Sequence, residues 1–251
     1  MAKDISDRKI AVIGAGHMGS ALVKGLTHAG IRGVAVSDSS SRNRAVAKRA
    51  DVIFIAVKPS VIGAVLSDIN DVVEGKTIIS LAAGIGVEKL RTYLRGRRFS
   101  IARIMPNIPV AYGLGVIGIH ANDANTRNLL KKLLRGLGLL VEVKRERDLD
   151  ALTLVSGCGP AIVASLVAML GKRARALGIS RGAEKIALQT FLGAIHHMIR
   201  SETNVKQLMG SVATKGGVTE AILTKLRRGG FEKAFARAIK SGQSRLKRIH
   251  A

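Results

Sequence analysis

Six residues near the N-terminus, Gly14-Ala15-Gly16-His17-Met18-Gly19, constrain this chain more than any other feature. They fit the spacing G-x-G-x-x-G and stand between a short apolar run at 9–13 (KIAVI) and a helical pattern, SALVKGLTHAG. In that setting the first glycine permits a tight turn, and the second lets backbone approach a pyrophosphate. The third lets helix pack closely on strand. The helix start adds free N–H groups and a dipole that favours an anion. A second apolar run at 34–37 leads to Asp38, 19 residues after Gly19, where an acidic side chain accepts from a ribose hydroxyl. Gly14, Gly16, His17, Met18, Gly19 and Asp38 are therefore candidate residues for a dinucleotide. His17 contributes backbone rather than its ring.

The first half repeats this strand–helix theme. Runs at 51–57 (DVIFIAV), 76–81 (KTIISL), 100–104 (SIARI), 115–120 (GVIGIH) and 139–143 (LLVEV) are β-branched without strict alternation. That is the pattern of strands covered on both faces. Helical segments such as 19–29 and 124–137 separate them. The alternation predicts a mainly parallel, doubly wound Rossmann-type α/β sheet. Only twelve residues lie between Asp38 and Asp51, too few for the additional strand and helix of a full dinucleotide fold. One edge βα unit is expected to be missing or reduced, which thins the wall beside an adenine.

From residue 149 onward strand-like runs vanish, and glycines punctuate helical patterns at 161–177, 181–199 and 231–249. The chain thus divides into an α/β domain over 1–148 and an all-helical domain over 149–251. The run AIVASLVAML is too apolar for one helical layer to hide, so the helical domain is expected to form a dimer or larger assembly. At about ten residues it falls short of the ~20 that span a bilayer. The polar start MAKDISDRK has no signal-peptide core. A cytoplasmic protein with no membrane partner is the expectation.

Basic residues exceed acidic ones by 41 to 17, giving a net charge of +24. Residues 151–251 are the more one-sided part, with 17 Lys/Arg against 4 Asp/Glu. Such a surface favours anionic ligands and attracts nucleic acid non-specifically at low salt. Aromatic residues make up only 3% of the chain, which argues against stacking platforms for single strands. The lone Cys158 excludes an internal disulfide or a multi-thiolate site. His196-His197 lacks a spaced third ligand, so no metal is expected.

Cofactor choice stays open between NADH and NADPH. Asp38 favours NADH. The run Ser39-Ser40-Ser41-Arg42-Asn43-Arg44 carries hydroxyl and guanidinium groups that suit a 2′-phosphate, so Ser39 and Arg42 tilt the balance slightly to NADPH. The same serines also suit a turn and helix cap.

Further motifs follow in one order over nearly the whole chain. They are Ala56-Val57-Lys58-Pro59, Ser80-Leu81-Ala82-Ala83-Gly84-Ile85, Arg103-Ile104-Met105-Pro106-Asn107-Ile108-Pro109, Ser156-Gly157-Cys158-Gly159-Pro160-Ala161 and Thr214-Lys215-Gly216-Gly217-Val218-Thr219. With the glycine loop they resemble the pyrroline-5-carboxylate reductase family. The resemblance implies NAD(P)H-dependent hydride transfer to the C=N bond of 1-pyrroline-5-carboxylate, the last step of proline biosynthesis. It implies cofactor contacts at Ala56, Val57, Lys58, Pro59, Ala82 and Ala83, with Met105, Pro106 and Asn107 beside the nicotinamide. It also implies a substrate-carboxylate loop at Thr214, Lys215, Gly216, Gly217 and Val218, and places Thr219 near the ring nitrogen. The helical domain would then intertwine with a second copy as a homodimer, or build a ring of dimers.

The chemistry asks little of the protein beyond placement, because the nicotinamide carries the hydride. Thr219 can hydrogen-bond the developing amine. Gly216 and Gly217 let consecutive N–H groups converge on a carboxylate. Lys215 stands where proline is usual and Ile108 where threonine is frequent. These keep in play a related imine or β-hydroxyacid reductase for another small acid. The charge keeps in play a non-enzymatic nucleotide sensor or nucleic-acid-binding protein on the same fold.

Overall fold

Seven short strands pair into one sheet in the order β2-β1-β3-β4-β5-β6-β7. They are β1 Ile10–Ile13, β2 Ala35–Ser37, β3 Val52–Ile55, β4 Thr77–Ser80, β5 Ser100–Pro106, β6 Gly115–Ala121 and β7 Gly138–Glu142. Each falls on one of the apolar runs expected to form a strand. This computed structural model describes residues 7–250, and of 249 and 250 the backbone alone. Residues 1–6, part of the polar start read for a signal peptide, lie outside the described residues.

Every strand pair is parallel except β5–β6. That pair is joined by residues 107–114, which hold one 3₁₀ turn, Ile108–Tyr112. So short a link permits only an antiparallel return, because a parallel crossover needs a dozen residues or more. All four residues of β1, β3 and β4 are buried. Alternate side chains feed two apolar layers. Val12, Phe54 and Ile104 pack with Leu22 and Leu26 of α1 (His17–His28) and Leu130 and Leu133 of α5 (Ala124–Leu134). Ile13, Ile53 and Ile78 pack on the other face with Ala47, Leu66 and Leu90. Those three belong to α2 (Ser40–Arg49), α3 (Ile62–Ile69) and α4 (Val87–Tyr93). Strand β2 is the sheet edge, and the link from β2 to β3 holds α2 alone. This is the shortened edge expected from the spacing.

Helical structure then runs to His250. It comprises α6 (Asp148–Leu152), a π-helical turn (Thr153–Gly157), α7 (Gly159–Ala176), α8 (Ala183–Arg200), α9 (Val205–Val212), α10 (Val218–Arg228) and α11 (Phe231–His250). By compactness the chain forms two units. The first reaches Pro160 and takes in the chain from Gln243 onward, and the second is Ala161–Gly242.

Within the second unit only Gly171, Ala183 and Ala187 are buried. Leu188, Leu192, Ile195, Ile199 and Met209 are all exposed there. Covering side chains of this size contributes roughly 1.5–3 kcal/mol each. A unit that leaves them open has no core of its own and calls for a partner surface. The continuous helical stretch Asp148–Ala176, 29 residues long, is apolar and long enough to cross a membrane by length and composition. It exceeds the ten-residue run counted in the sequence because the π turn and Cys158, which keeps helical dihedral angles, carry α6 on into α7.

Helix α1 lies backbone-close to the 3₁₀ turn. A Cβ on Gly25 would stand 2.3 Å from the Val110 carbonyl oxygen and 3.1 Å from Leu137. Gly25→Ala is expected to destabilise the fold by about 1–3 kcal/mol through overpacking, despite the better helix propensity of alanine. A thermal melt lower by several degrees checks this.

Candidate active site

Gly14 leaves β1 with a φ of +106°, a conformation open to glycine alone at low cost. Its N–H donates to the Ser37 carbonyl at 2.8 Å. A Cβ here would lie 2.5 Å from the Ala56 carbonyl oxygen, and one on Gly19 would lie 1.8 Å from the Gly14 carbonyl oxygen. Loop, helix α1 and the end of β3 therefore meet backbone to backbone. Gly16 caps α1 and has nothing within 4 Å of a would-be Cβ, so the space above it is open. His17 is exposed, and Met18 packs against the core.

A cavity of about 300 Å³ lies at the carboxyl ends of β1 and β2. Gly14, Asp38, Ser39, Ser40 and Asn43 supply its polar wall. Val57, Val61, Ala64 and Val65 supply the apolar wall, with Asp68 at the far end of that stripe. Buried Asn43 accepts from Ser37 Oγ at 2.8 Å, and the same hydroxyl reaches the Ser39 carbonyl at 3.1 Å. This shared hydrogen pins the first turn of α2 to the end of β2. Ser39 is the N-cap of α2 but makes no side-chain capping bond. Arg42 is exposed and does not line the cavity. Arg44 binds Asp71 through its guanidinium. That hydrogen bond holds the Asp71 carboxyl below the usual carboxylate range.

Four of the cofactor candidates, Gly14, Asp38, Ser39 and Val57, thus converge on one cavity. Ser40 and Asn43 belong to the run read for a 2′-phosphate, whereas the residues of the Val61–Asp68 stripe stand outside every motif read from the sequence. The helical spacing 61, 64/65, 68 directly after Pro59 was the signal that carried them.

The remaining candidates of this unit sit on other loops. Ala56 is half-buried, Lys58 is exposed, and Pro59 opens a 3₁₀ turn. Ala82 and Ala83 follow β4, where Ala82 N–H donates to Ser80 Oγ at 3.2 Å. The Ala82 carbonyl accepts from Arg103 Nη2 at 3.2 Å. Arg103 is 2% exposed, and its Nη1 lies 2.9 Å from Glu146 Oε1. The same carboxylate oxygen accepts from Val87 N at 2.7 Å, which caps α4. One buried guanidinium thereby joins the loop after β4, the start of α4 and the segment entering α6. Met105 and Pro106 are buried at the end of β5. Asn107, also buried, accepts from Val116 N at 2.8 Å and donates to the Ser156 carbonyl at 3.0 Å. The sequence motifs contain Arg103 and Asn107, but neither these bonds nor Glu146 could be read from them.

In the helical unit a separate cavity of about 340 Å³ is lined by Gly216, Gly217 and one face of α10. Gly217 caps α10. Gly216 N–H donates to Glu220 Oε2 at 2.6 Å, and Gly217 N–H closes a turn onto the Thr214 carbonyl at 2.9 Å. The two N–H groups expected to converge on a ligand carboxylate are engaged within the chain, one of them by a carboxylate. Thr219 is half-buried in the first turn of α10, while Thr214, Lys215 and Val218 are exposed. None of these four lines the cavity, but Lys225 and Arg228 do. Their spacing along α10 from Gly217 was the unused signal. Among the described residues no group of three or more His, Cys, Asp or Glu side chains can hold a metal ion.

Residues 146–249 match the family model described as pyrroline-5-carboxylate reductase dimerisation. Residues 36–84 match one described as NADP oxidoreductase, coenzyme F420-dependent. The chain is 31% identical to the pyrroline-5-carboxylate reductase of Pseudomonas aeruginosa, over 96% of each chain. It belongs to the pyrroline-5-carboxylate reductase family. A relative from Methanosarcina acetivorans is also 31% identical, over 98% of this chain and 99% of its own. The crystal structure of Plasmodium falciparum pyrroline carboxylate reductase with NADP bound has a TM-score of 0.88 at 26% identity, covering 99% of this chain and 100% of that one. A Coxiella burnetii pyrroline-5-carboxylate reductase has a TM-score of 0.85 at 30% identity, covering 97% and 99%. The exposed apolar helices, the stretch 148–176 included, lie in the region that matches the family's dimerisation model.

Glu146→Ala removes the one acidic partner that Arg103 has among the described residues and is expected to cost about 1–3 kcal/mol, discounted because Glu146 is about a quarter exposed. Replacing both partners, Arg103→Met with Glu146→Leu, is expected to cost less than that single change. Denaturant unfolding of the two variants checks the order.

Proposed function

We propose that this protein is a pyrroline-5-carboxylate reductase, reducing the C=N bond of 1-pyrroline-5-carboxylate to give L-proline. The observation that carries this is the full-length match, at 31% identity over 96% of both chains, to a reductase of that name. NAD(P)H, when bound, supplies the hydride. The glycine loop fits such a cofactor, since Gly14 and Gly19 exclude side chains while Gly16 leaves open space. In this reading Gly14, Gly16, His17, Met18 and Gly19 hold the pyrophosphate with backbone groups. Asp38, Ser39 and Arg42 flank the ribose beside the 300 Å³ cavity. Ala56, Val57, Lys58, Pro59, Ala82 and Ala83 border the dinucleotide, and Met105, Pro106 and Asn107 stand at its nicotinamide end.

Thr214, Lys215, Gly216, Gly217 and Val218 form the loop that takes the substrate carboxylate, which displaces Glu220 from Gly216 N–H. Thr219 donates to the ring nitrogen and fixes the face offered for reduction. The functional division of the chain falls at 148/149. The enzyme is a cytoplasmic homodimer through its helical region, and rings of dimers extend the same contacts. Its net charge draws nucleic acid non-specifically at low salt.

Oxidation of NADPH and NADH, followed in parallel with pyrroline-5-carboxylate, tests the activity. Turnover of neither, with cofactor still bound, would move the assignment to another small imine or keto acid. Thr219→Ala is expected to lower kcat by roughly 10²-fold or more while cofactor binding persists. A Thr219→Ala enzyme with full turnover would remove that residue from the mechanism.

A further inference from the structure

With β2 at the sheet edge and α2 following it directly, the cavity beside the glycine loop is walled by α2 on one side and α3 on the other. Val61, Ala64 and Val65 present a partly exposed apolar stripe of the kind that takes a purine face. Asp68 ends that stripe one turn further on. Asp38 stands on the facing wall, at the end of β2. Two carboxylates therefore line one cavity of about 300 Å³, and among the described residues no lysine or arginine lines it. Of the cations on α2 nearest the cavity, Arg42 stands outside its lining with its side chain in solvent, and Arg44 is engaged by Asp71. The hydroxyls of Ser39 and Ser40 remain, and they serve a ribose hydroxyl as readily as a phosphate.

A ribose with free hydroxyls brings donors to these acceptors. A 2′-phosphate brings up to about two negative charges and no strong donor. We propose that Asp68, acting with Asp38, is a specificity residue that makes this enzyme select NADH over NADPH. The proposal rests on reading the cavity as the adenosine end of the cofactor site, and it separates this chain from the NADP-bound Plasmodium falciparum relative. It also sets aside the tilt to NADPH that the serine run alone conveys.

Binding of NADH and NADPH to the full-length protein, followed by cofactor fluorescence without any imine, tests the proposal independently of turnover. NADH is expected to bind at least about tenfold more tightly at low ionic strength, a difference of about 1.4 kcal/mol. Asp68→Asn is expected to narrow that ratio at least about threefold by strengthening NADPH binding, and added salt to narrow it in the parent protein. Asp68 is exposed, so the variant keeps its fold, and a thermal melt verifies that. NADPH bound as tightly as NADH by the parent, or a ratio unmoved by Asp68→Asn, overturns the proposal. Binding of neither cofactor overturns both it and the reading of the cavity. A clear preference for NADH without imine turnover leaves the proposal standing and removes only the assigned substrate.

Discussion

Between Ala161 and Gly242 nothing larger than alanine is buried, and yet the helices there carry rows of leucine, isoleucine, valine and methionine. Helical propensity alone does not hold such a region together in water, because most helical stability in proteins comes from packing an apolar face. The missing packing has to come from a second chain, which is what a match to a dimerisation family supplies over residues 146–249. The loop proposed to hold the substrate carboxylate lies inside this region. Its order, and with it the proposed catalytic placement of Thr219, is then tied to association and to protomer concentration. The α/β unit differs, since its central strands are packed on both faces by the chain's own helices.

That self-sufficiency explains how the sheet tolerates the loss of an edge unit. The central strands β1, β3 and β4 keep neighbours on both sides, so the carboxyl ends that form the glycine loop stay fixed. What changes is the outer wall of the nucleotide cavity. Ser37 and Asn43 rebuild it with one buried hydroxyl bridging two acceptors, which sets α2 directly against the end of β2. Helix α3 completes the wall of this cavity with Ala64, Val65 and Asp68.

The strands were legible because burial on both faces leaves a run of β-branched residues that needs no partner information to recognise. The glycine loop was legible for a similar reason: its constraint is local, a positive φ and two backbone contacts within a few residues of sequence. The antiparallel β5–β6 pair was not called out, although the brevity of residues 107–114 dictates it. Long-range chemistry was the least legible part. Arg103 and Glu146 are 43 residues apart and Asn107 and Ser156 are 49 apart, so nothing in either neighbourhood announces the pairing. The engagement of Gly216 by Glu220 spans only four residues. Nothing in the glycine pair itself announces that bond, because the same N–H groups suit a ligand carboxylate and the chain's own carboxylate equally.

The charge of +24 acts on a different scale from the carboxylates of the cavity. A diffuse positive field draws in every anion, including both nicotinamide cofactors and a small carboxylate substrate, and raises their encounter rates. If it chose between cofactors at all, it would favour the one with the extra phosphate. At physiological ionic strength, however, exposed charges are largely screened beyond about 8 Å. Discrimination therefore falls to groups that line the cavity proposed for the ribose, where Asp38 and Asp68 stand and, among the described residues, no basic side chain does. A basic surface and an acidic ribose pocket are compatible in one molecule because the first governs arrival and the second governs what stays bound.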